Sequence, residues 1–154
     1  MNRVAESIQV VGLAQFNAAI EGLAAALDTA TRSATAKASH LLEGEIKQTL
    51  ATSSHQRGTP TPSSPGEPPS LVTGQLRGSI TVDGPHPLGL GSWESQVGPT
   101  AVYGRIQELG GVTGRGGATV LPPRPYVQPS FNKVAGDGSL ARVYLEAWRT
   151  AIAI

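Results

Sequence analysis

The sequence predicts a single α+β domain with extended loops, in which a long N-terminal helix or helix pair and a C-terminal helix pack on a small antiparallel sheet. Three observations lead to this class. Residues 13–51 repeat apolar side chains at helical spacing, residues 76–82 and 93–97 alternate, and residues 139–151 return to helical spacing. A chain of 154 residues is long enough to form one domain, residues 1–154, with its own core.

The N-terminal third of the chain is predicted to be mainly helical. Residues 7–11 alternate like a short strand, with a first helical turn as the other interpretation, and Gly12 ends that pattern. Apolar residues then recur in steps of three and four, which places them on one helical face: Leu13, Phe16, Ile20, Leu23 and Leu27. A second set follows: Ala34, Ala38, Leu41, Leu42, Ile46 and Leu50. Because residues 28–35 are rich in Thr and Ser, residues 13–51 form either one helix or two that meet near residues 29–31.

Residues 53–73 are a proline-rich arm by composition. Five of the twelve prolines fall in this segment, together with two glycines and several Ser and Thr residues. Such a segment has few backbone donors and little apolar surface, so it is expected to form no helix or strand. Unstructured connections of about twenty residues are unusual inside a compact domain and are commonly functional or disordered. We expect the arm to become ordered against a neighbouring subunit, with a flexible loop that has no partner as the alternative.

The middle of the chain is predicted to supply the sheet. Residues 76–82 alternate as a half-exposed strand, residues 84–91 form a turn-rich connection, and residues 93–97 return as the antiparallel partner. Residues 101–109 form a short helix with Val102, Ile106 and Leu109 on one face, and Gly110 ends it. Residues 110–117 contain five glycines and are expected to be mobile, and residues 118–121 form a third strand.

The C-terminal part is predicted to hold two helices separated by a short break. The first follows Pro129 and runs to Ala135, and Gly136-Asp137-Gly138 interrupts it. The second begins at Ser139, which is the expected N-cap. Its buried face comprises Leu140, Val143, Tyr144, Ala147 and Ala151.

Composition argues against several classes of function. Twelve basic residues stand against eleven acidic ones, which is too balanced for a protein whose main task is to neutralise nucleic-acid phosphates. Nine of the twelve basic residues are Arg, the residue type that suits planar contacts at interfaces. No apolar window approaches the length of a membrane span, and the N-terminal residues do not resemble a signal peptide. The sequence therefore predicts a protein without membrane contact.

No catalytic or metal-binding pattern is evident, so the chain is predicted not to be an enzyme and to bind no cofactor or metal. The three histidines, His40, His55 and His86, lie far apart, and the chain has no cysteine. Neither a phosphate-binding loop nor a serine nucleophile elbow occurs. The glycines of residues 110–117 follow a short helix and precede a strand, which is the opposite of the dinucleotide-binding order.

Three short motifs occur in a fixed order along the chain. A stiff lead-in, PGEPP (residues 65–69), precedes TGQLRGSI (residues 73–80). YGRIQELG (residues 103–110) follows, and then PRPY with a further proline (residues 123–129). In this order and at this spacing the motifs resemble the neck and tail-completion proteins of long-tailed phages, a family that includes virion morphogenesis and minor tail proteins. The chain departs from that pattern at Gly104, where the family usually has Ala, and at the glycine break of residues 136–138.

The resemblance implies a structural role and no enzymatic activity. Copies of the chain would form a ring, expected to be a hexamer, at the neck or upper tail of the virion after assembly in the host cytoplasm. The implied partners are the chain itself, a head-closure or connector protein, and a tail terminator or tail tube protein. A tail terminator role is an alternative. The motifs supply the candidate subunit-contact residues: Pro65, Pro68, Pro69, Thr73, Gly74, Leu76, Arg77, Tyr103, Glu108, Gly110, Arg124, Pro125 and Tyr126.

Individual side chains in these motifs have expected roles. Arg77 is expected to pair with Glu108, with two unrelated solvated charges as the alternative. Pro123 and Pro125 are expected to hold Arg124 in an extended segment that exposes its guanidinium, while Tyr126 and Phe131 anchor this segment to the core. Subunit contacts are expected in the two long loops, residues 53–73 and 110–117.

A second hypothesis assigns the chain a channel through which the phage genome passes. In that case exposed arginines would line the lumen and contact DNA: Arg57, Arg105 and Arg115, together with Arg77.

Overall fold

The structure is a computed structural model that describes residues 11–52, 54–59, 62–89 and 91–153. It confirms the α+β class. A long helix, α1 (Leu13–Thr49), is followed by a helical turn α2 (Gln75–Gly78), the strands β1 (Ile80–Gly89) and β2 (Ser92–Pro99), and helix α3 (Gly104–Leu109). Strands β3 (Gly111–Thr113) and β4 (Thr119–Leu121) and helices α4 (Val127–Gly136) and α5 (Ser139–Ile152) complete the order. The strand predicted at residues 7–11 lies, apart from Val11, outside the described residues.

Helix α1 runs without interruption through the Thr-rich segment, so the single-helix alternative is the one observed. The hydroxyls of Thr29, Thr31 and Thr35 each donate to the carbonyl four residues earlier, at 2.7–3.0 Å. These bonds satisfy the hydroxyls within the helix, so the side chains do not draw the backbone into a non-helical conformation. At 1.5 Å per residue, the 37 residues of α1 extend over about 55 Å.

The rest of the domain packs against the middle and the C-terminal part of α1. Helix α5 lies antiparallel to it: Tyr144 Oη hydrogen-bonds Thr35 Oγ1 at 3.1 Å, and Trp148, one turn later in α5, donates from Nε1 to Oγ1 of Thr31, one turn earlier in α1, at 3.0 Å. Strand β2 joins the same region through Trp93, whose Nε1 donates to Asp28 Oδ1 at 2.9 Å.

The core lies where α1, β1 and the start of α4 meet. Ile46, Leu50, Ile80 and Tyr126 are buried there, with Leu42, Leu76, Val97 and Val127 packed around them. The predicted apolar face of residues 34–50 is therefore confirmed, since Ala34, Ala38, Ile46 and Leu50 are all buried. No helix among the described residues is long and apolar enough to cross a membrane.

Strands β1 and β2 form the predicted antiparallel hairpin, but β1 does not begin at residue 76. Gly74 adopts a positive φ of 74° and starts the helical turn α2 instead, and Ser79 Oγ closes that turn by donating to the Leu76 carbonyl at 2.7 Å. Strand β1 then continues to Gly89, through the segment predicted to be a turn, with an irregular register between Asp83 and His86.

The glycine-rich segment also differs from its prediction. Residues 111–121 fold into a second two-stranded antiparallel sheet, β3–β4, closed by a 3₁₀ turn at Arg115–Gly117. The predicted third strand therefore exists as β4 but belongs to this small hairpin. The predicted helix at residues 101–109 is confirmed from Gly104 onward, and Gly110 ends it.

The two C-terminal helices and the break between them are confirmed. All five residues of the predicted α5 face are half-buried: Leu140, Val143, Tyr144, Ala147 and Ala151. The N-cap position belongs to Gly138, one residue before the predicted Ser139, and Asp137 Oδ1 accepts the Ser139 backbone N–H at 2.8 Å. Hydrogen bonds from Ser139 lower the pKa of the Asp137 carboxyl below its ordinary value.

One glycine inside α1 offers a test of the helix. Gly44 is exposed and lies inside the helix, and an added Cβ would lie more than 4 Å from any group outside the adjacent backbone of α1. Gly44→Ala should raise the free energy of unfolding by about 0.5–1 kcal/mol, because Ala loses less backbone entropy on helix formation. Urea denaturation followed by circular dichroism measures this change. Gly12→Ala is the control, since the φ of 92° at Gly12 predicts a loss of stability instead.

Candidate functional site

The second and third sequence motifs meet at a buried tyrosine. The Tyr126 side chain is fully buried, and its hydroxyl donates to the Gly104 carbonyl at 3.0 Å. The backbone N–H of Arg124 donates to the Gln107 carbonyl at 2.8 Å. Tyr126 thus anchors its segment, as predicted, whereas the predicted second anchor, Phe131, is 45% exposed and lies outside the core.

Glu108 holds the N-terminus of α4. Its Oε2 accepts the backbone N–H groups of Tyr126 and Val127 at 2.7 and 2.9 Å, and its Oε1 accepts that of Gln128 at 3.0 Å. The next residue, Pro129, has no N–H to offer. One carboxylate therefore satisfies the donors that begin α4, where a negative charge is also favoured by the helix dipole.

Arg77 does not pair with Glu108, so that hypothesis is wrong. Because residues 75–78 form a helical turn rather than a strand, the Arg77 side chain faces the C-terminal end of α1. Its Nε donates to the Lys47 carbonyl at 3.1 Å. That carbonyl belongs to the last turn of α1, where free acceptors and the helix dipole favour a cation.

Arg124 is turned inward rather than exposed, which corrects the second side-chain hypothesis. Only 8% of the residue is exposed, and its Nε donates to the Ser63 carbonyl of the proline-rich arm at 3.1 Å. The Gly66 N–H donates to the Pro123 carbonyl at 2.9 Å, and a parallel bridge joins Ser54 to Leu71 at the base of the arm. The described part of the arm is thus hydrogen-bonded to its own chain.

These contacts surround one cavity of about 240 Å³. It lies between the arm, α2 and α3, and its lining includes seven of the thirteen candidate contact residues: Pro69, Thr73, Gly74, Leu76, Arg77, Tyr103 and Arg124. Pro65 is exposed and Pro68 is half-buried on the arm. Glu108, Pro125 and Tyr126 line a neighbouring groove, and Gly110 lies at the end of α3. The first motif therefore joins the other two in space.

The departure at Gly104 has a local explanation. Gly104 is buried, and an added Cβ would overlap the Pro99 ring and come within 3.2 Å of the Tyr126 hydroxyl. The Pro99 ring thus occupies the space that an Ala side chain would need.

The candidate DNA-facing arginines lie on three separate elements. Arg57 is in a turn of the arm, Arg105 is on α3, and Arg115 is in the turn between β3 and β4. All three are exposed. No group of three or more His, Asp or Glu side chains that could hold a metal ion occurs within the described ranges.

The most unusual surface is one that the motifs do not include. Four large side chains on the first turns of α1 are 40–62% exposed, and we call this set the apolar stripe: Leu13, Phe16, Ile20 and Leu23. The sequence reveals their shared face, but not that they lack a partner. The lengths of the two helices indicate the missing partner, because α5 has 14 residues and cannot cover the 37 residues of α1.

The contact between Glu108 and α4 can be tested by removing the charge. Glu108→Gln should lower the free energy of unfolding by about 1–3 kcal/mol, since a charge-assisted set of hydrogen bonds to the helix N-terminus is lost. Urea denaturation measures the change. The exposed Glu67→Gln is the matched control and should change stability by less than about 0.5 kcal/mol. Equal effects in the two variants would contradict the capping role.

Comparisons of this chain with protein-family models, with curated proteins and with solved structures found no match.

Proposed function

We propose that this chain is a structural subunit of a long-tailed phage, which assembles head-to-tail into a ring at the neck or upper tail. The ring, with six copies as the expected number, would join a head-closure or connector protein to a tail terminator or tail tube protein. The order and spacing of the three motifs support this family, and the long helix that precedes the first motif also fits it.

The observation that carries the proposal is the exposed apolar stripe. Contiguous apolar surface of this kind on a soluble domain commonly marks a contact with another protein. The stripe lies on a helix that extends beyond the body of the domain, where a neighbouring subunit can reach it. An assembly subunit needs such a surface.

Hydrogen bonds between the arm and the body affect how the proposal can be tested. Deleting residues 59–69 would remove Ser63 and Gly66 and leave the buried Arg124 without its acceptor on the arm. An unpaired buried charge is costly, so such a deletion would test folding together with assembly. The full-length chain is the better material.

Sedimentation velocity and negative-stain microscopy of the purified chain test the proposal. A closed ring of uniform copy number that appears with rising concentration is the expected result, together with labelling of the neck or upper tail of virions by a specific antibody. A chain that remains monomeric at every concentration and is absent from virions would overturn the proposal.

The exposure of Arg57, Arg105 and Arg115 favours a second candidate function, contact with DNA in the lumen of the ring. Binding to duplex DNA that weakens steeply as salt rises is the expected signature. Absence of binding at low salt would eliminate this candidate without affecting the structural role.

A further inference from the structure

The apolar stripe continues the face of α1 that the domain itself buries. Stepping from Leu23 by four and then seven residues leads to Leu27 and the buried Ala34, at helical spacing. Because Tyr144 lies level with Thr35 and Trp148 with Thr31, one further turn brings Ile152, the last residue of α5, level with Leu27. The stripe therefore begins where the covering helix ends.

The stripe has the size and spacing of a helix-packing surface. If a fully exposed large side chain offers about 200 Å², its four members expose roughly 400 Å² of apolar surface. Their steps of three, four and three residues match the seam along which helices pack at small crossing angles. A specific interface buries about 800 Å² per partner, so the stripe can form the centre of one.

A complementary surface lies on the same molecule. A groove of about 870 Å³ runs between α1 and α5, and small side chains form much of its wall: Ala26, Ala30, Ser33, Ala147, Thr150 and Ala151. Small residues leave room in which the large side chains of another helix can interdigitate.

The groove and the apolar stripe also match in length and in charge. The groove follows α1 from Ala25 to Lys37, about 18 Å, and the stripe from Leu13 to Leu23 covers about 15 Å. Glu21 is the only charged residue from position 13 to 27, and Lys37 lies at one end of the groove. Glu146 also lines the groove and would repel Glu21, so the matching orientation places Glu21 on the Lys37 side.

We infer that the apolar stripe of one copy packs in the α1–α5 groove of the next copy. The inference rests on the proposed ring and identifies its contact surface. Because stripe and groove are different surfaces, the contact is heterologous: each copy uses its stripe on one neighbour and its groove on the other. Repetition of such a contact closes a ring where the rotation permits it.

Engineered thiols test this arrangement, since the chain has no cysteine of its own. With a short bis-maleimide, the double variant Ile20→Cys/Ala147→Cys should give a ladder of covalent oligomers. Each single variant should remain uncross-linked, and a mixture of the two should give covalent dimers only.

Other arrangements of the subunits would give different cross-linking patterns. Covalent dimers of Ile20→Cys alone would show that two stripes pack together, which overturns the inference. Ile20→Cys/Val120→Cys is the matched control, because Val120 belongs to another exposed apolar surface, on β4. A ladder there, or rings that sediment normally without a ladder at Ala147, would also overturn the inference but leave the proposed function standing. Monomers at every concentration would overturn both.

A second measurement does not depend on cross-linking. Phe16→Ser/Ile20→Ser should weaken assembly at least a hundredfold without lowering the melting temperature of the monomer, because both side chains are largely exposed. Leu88→Ser, at an exposed leucine on β1, should leave assembly unchanged. Equal weakening by the two variants would overturn the inference.

Discussion

Replacing Tyr126 with Ala should lower the free energy of unfolding by about 3–5 kcal/mol, the range for a large aromatic side chain removed from a core. Tyr126 is fully buried with Ile46, Leu50 and Ile80, so its loss leaves a cavity where α1, β1 and α4 meet. Urea denaturation followed by circular dichroism measures the effect. A loss below about 1 kcal/mol would show that the core does not depend on this ring.

Tyr126→Phe separates the hydroxyl from the ring. This variant keeps nearly the same volume and loses the hydrogen bond to the Gly104 carbonyl. We expect a loss of about 1–3 kcal/mol, because a buried carbonyl then lacks this donor. A Phe variant as unstable as the Ala variant would mean that the hydrogen bond, rather than packing, dominates the contribution of Tyr126.

Tyr126 should also make stability depend on alkaline pH. Burial, with a smaller contribution from Glu108, raises the pKa of Tyr126 to about 12, whereas an unfolded tyrosine titrates near 10. The unfolded chain therefore loses this proton first, so the stabilisation is complete below pH 10 and is lost as pH rises towards 12. Unfolding measured at pH 8 and pH 11 should show a smaller decrease in Tyr126→Phe than in the unchanged chain.

Local periodicity predicted the parts of the fold that local forces determine. The continuous apolar pattern of residues 34–50 predicted the buried face of α1, and the glycines at 136 and 138 predicted the break before α5. The pairing of β1 with β2 followed from two alternating segments close in sequence. In each case the sequence pattern lies within the structural element itself or in the adjacent segment of the chain.

Errors arose where a backbone conformation or a distant partner decides the outcome. Residues 76–82 alternate like a strand, but the positive φ of Gly74 begins a helical turn that the alternation does not reveal. Glu108 could not be matched to its partners from charge alone, because they are backbone N–H groups 18–20 residues away. The absence of a local cap before Val127 and the proline at position 129 were the available signals.

The structure brings many of the candidate contact residues together, but the sequence did not reveal the roles of several of their side chains. The three motifs do converge in space, yet Arg124 and Tyr126 are buried and contact their own chain. These two side chains stabilise the backbone around the site through contacts inside the domain. The exposed apolar stripe was visible as a helical face, but its lack of a covering element depends on where α5 ends, which is a tertiary property.

Gly110→Ala should lower the free energy of unfolding by about 3 kcal/mol or more, through two effects at one position. Gly110 has φ 69° and ψ −177°, a region that only glycine adopts readily. In addition, an added Cβ would lie 2.8 Å from both the Leu121 carbonyl oxygen and the Pro123 nitrogen. These are backbone atoms, so relief requires moving the chain that leads from β4 to Arg124.

Gly116→Ala is the control for a positive φ without steric overlap. Gly116 also has a positive φ, 70°, but an added Cβ there would meet nothing within 4 Å. This control should lose only about 1 kcal/mol, the cost of the backbone conformation. Urea denaturation of both variants measures the difference, which reports the overlap at Gly110 together with its more restricted backbone conformation, since ψ is −177° at Gly110 and 16° at Gly116. Equal losses would show that the backbone of residues 121–123 yields freely, and that the junction between α3 and Arg124 is not rigid.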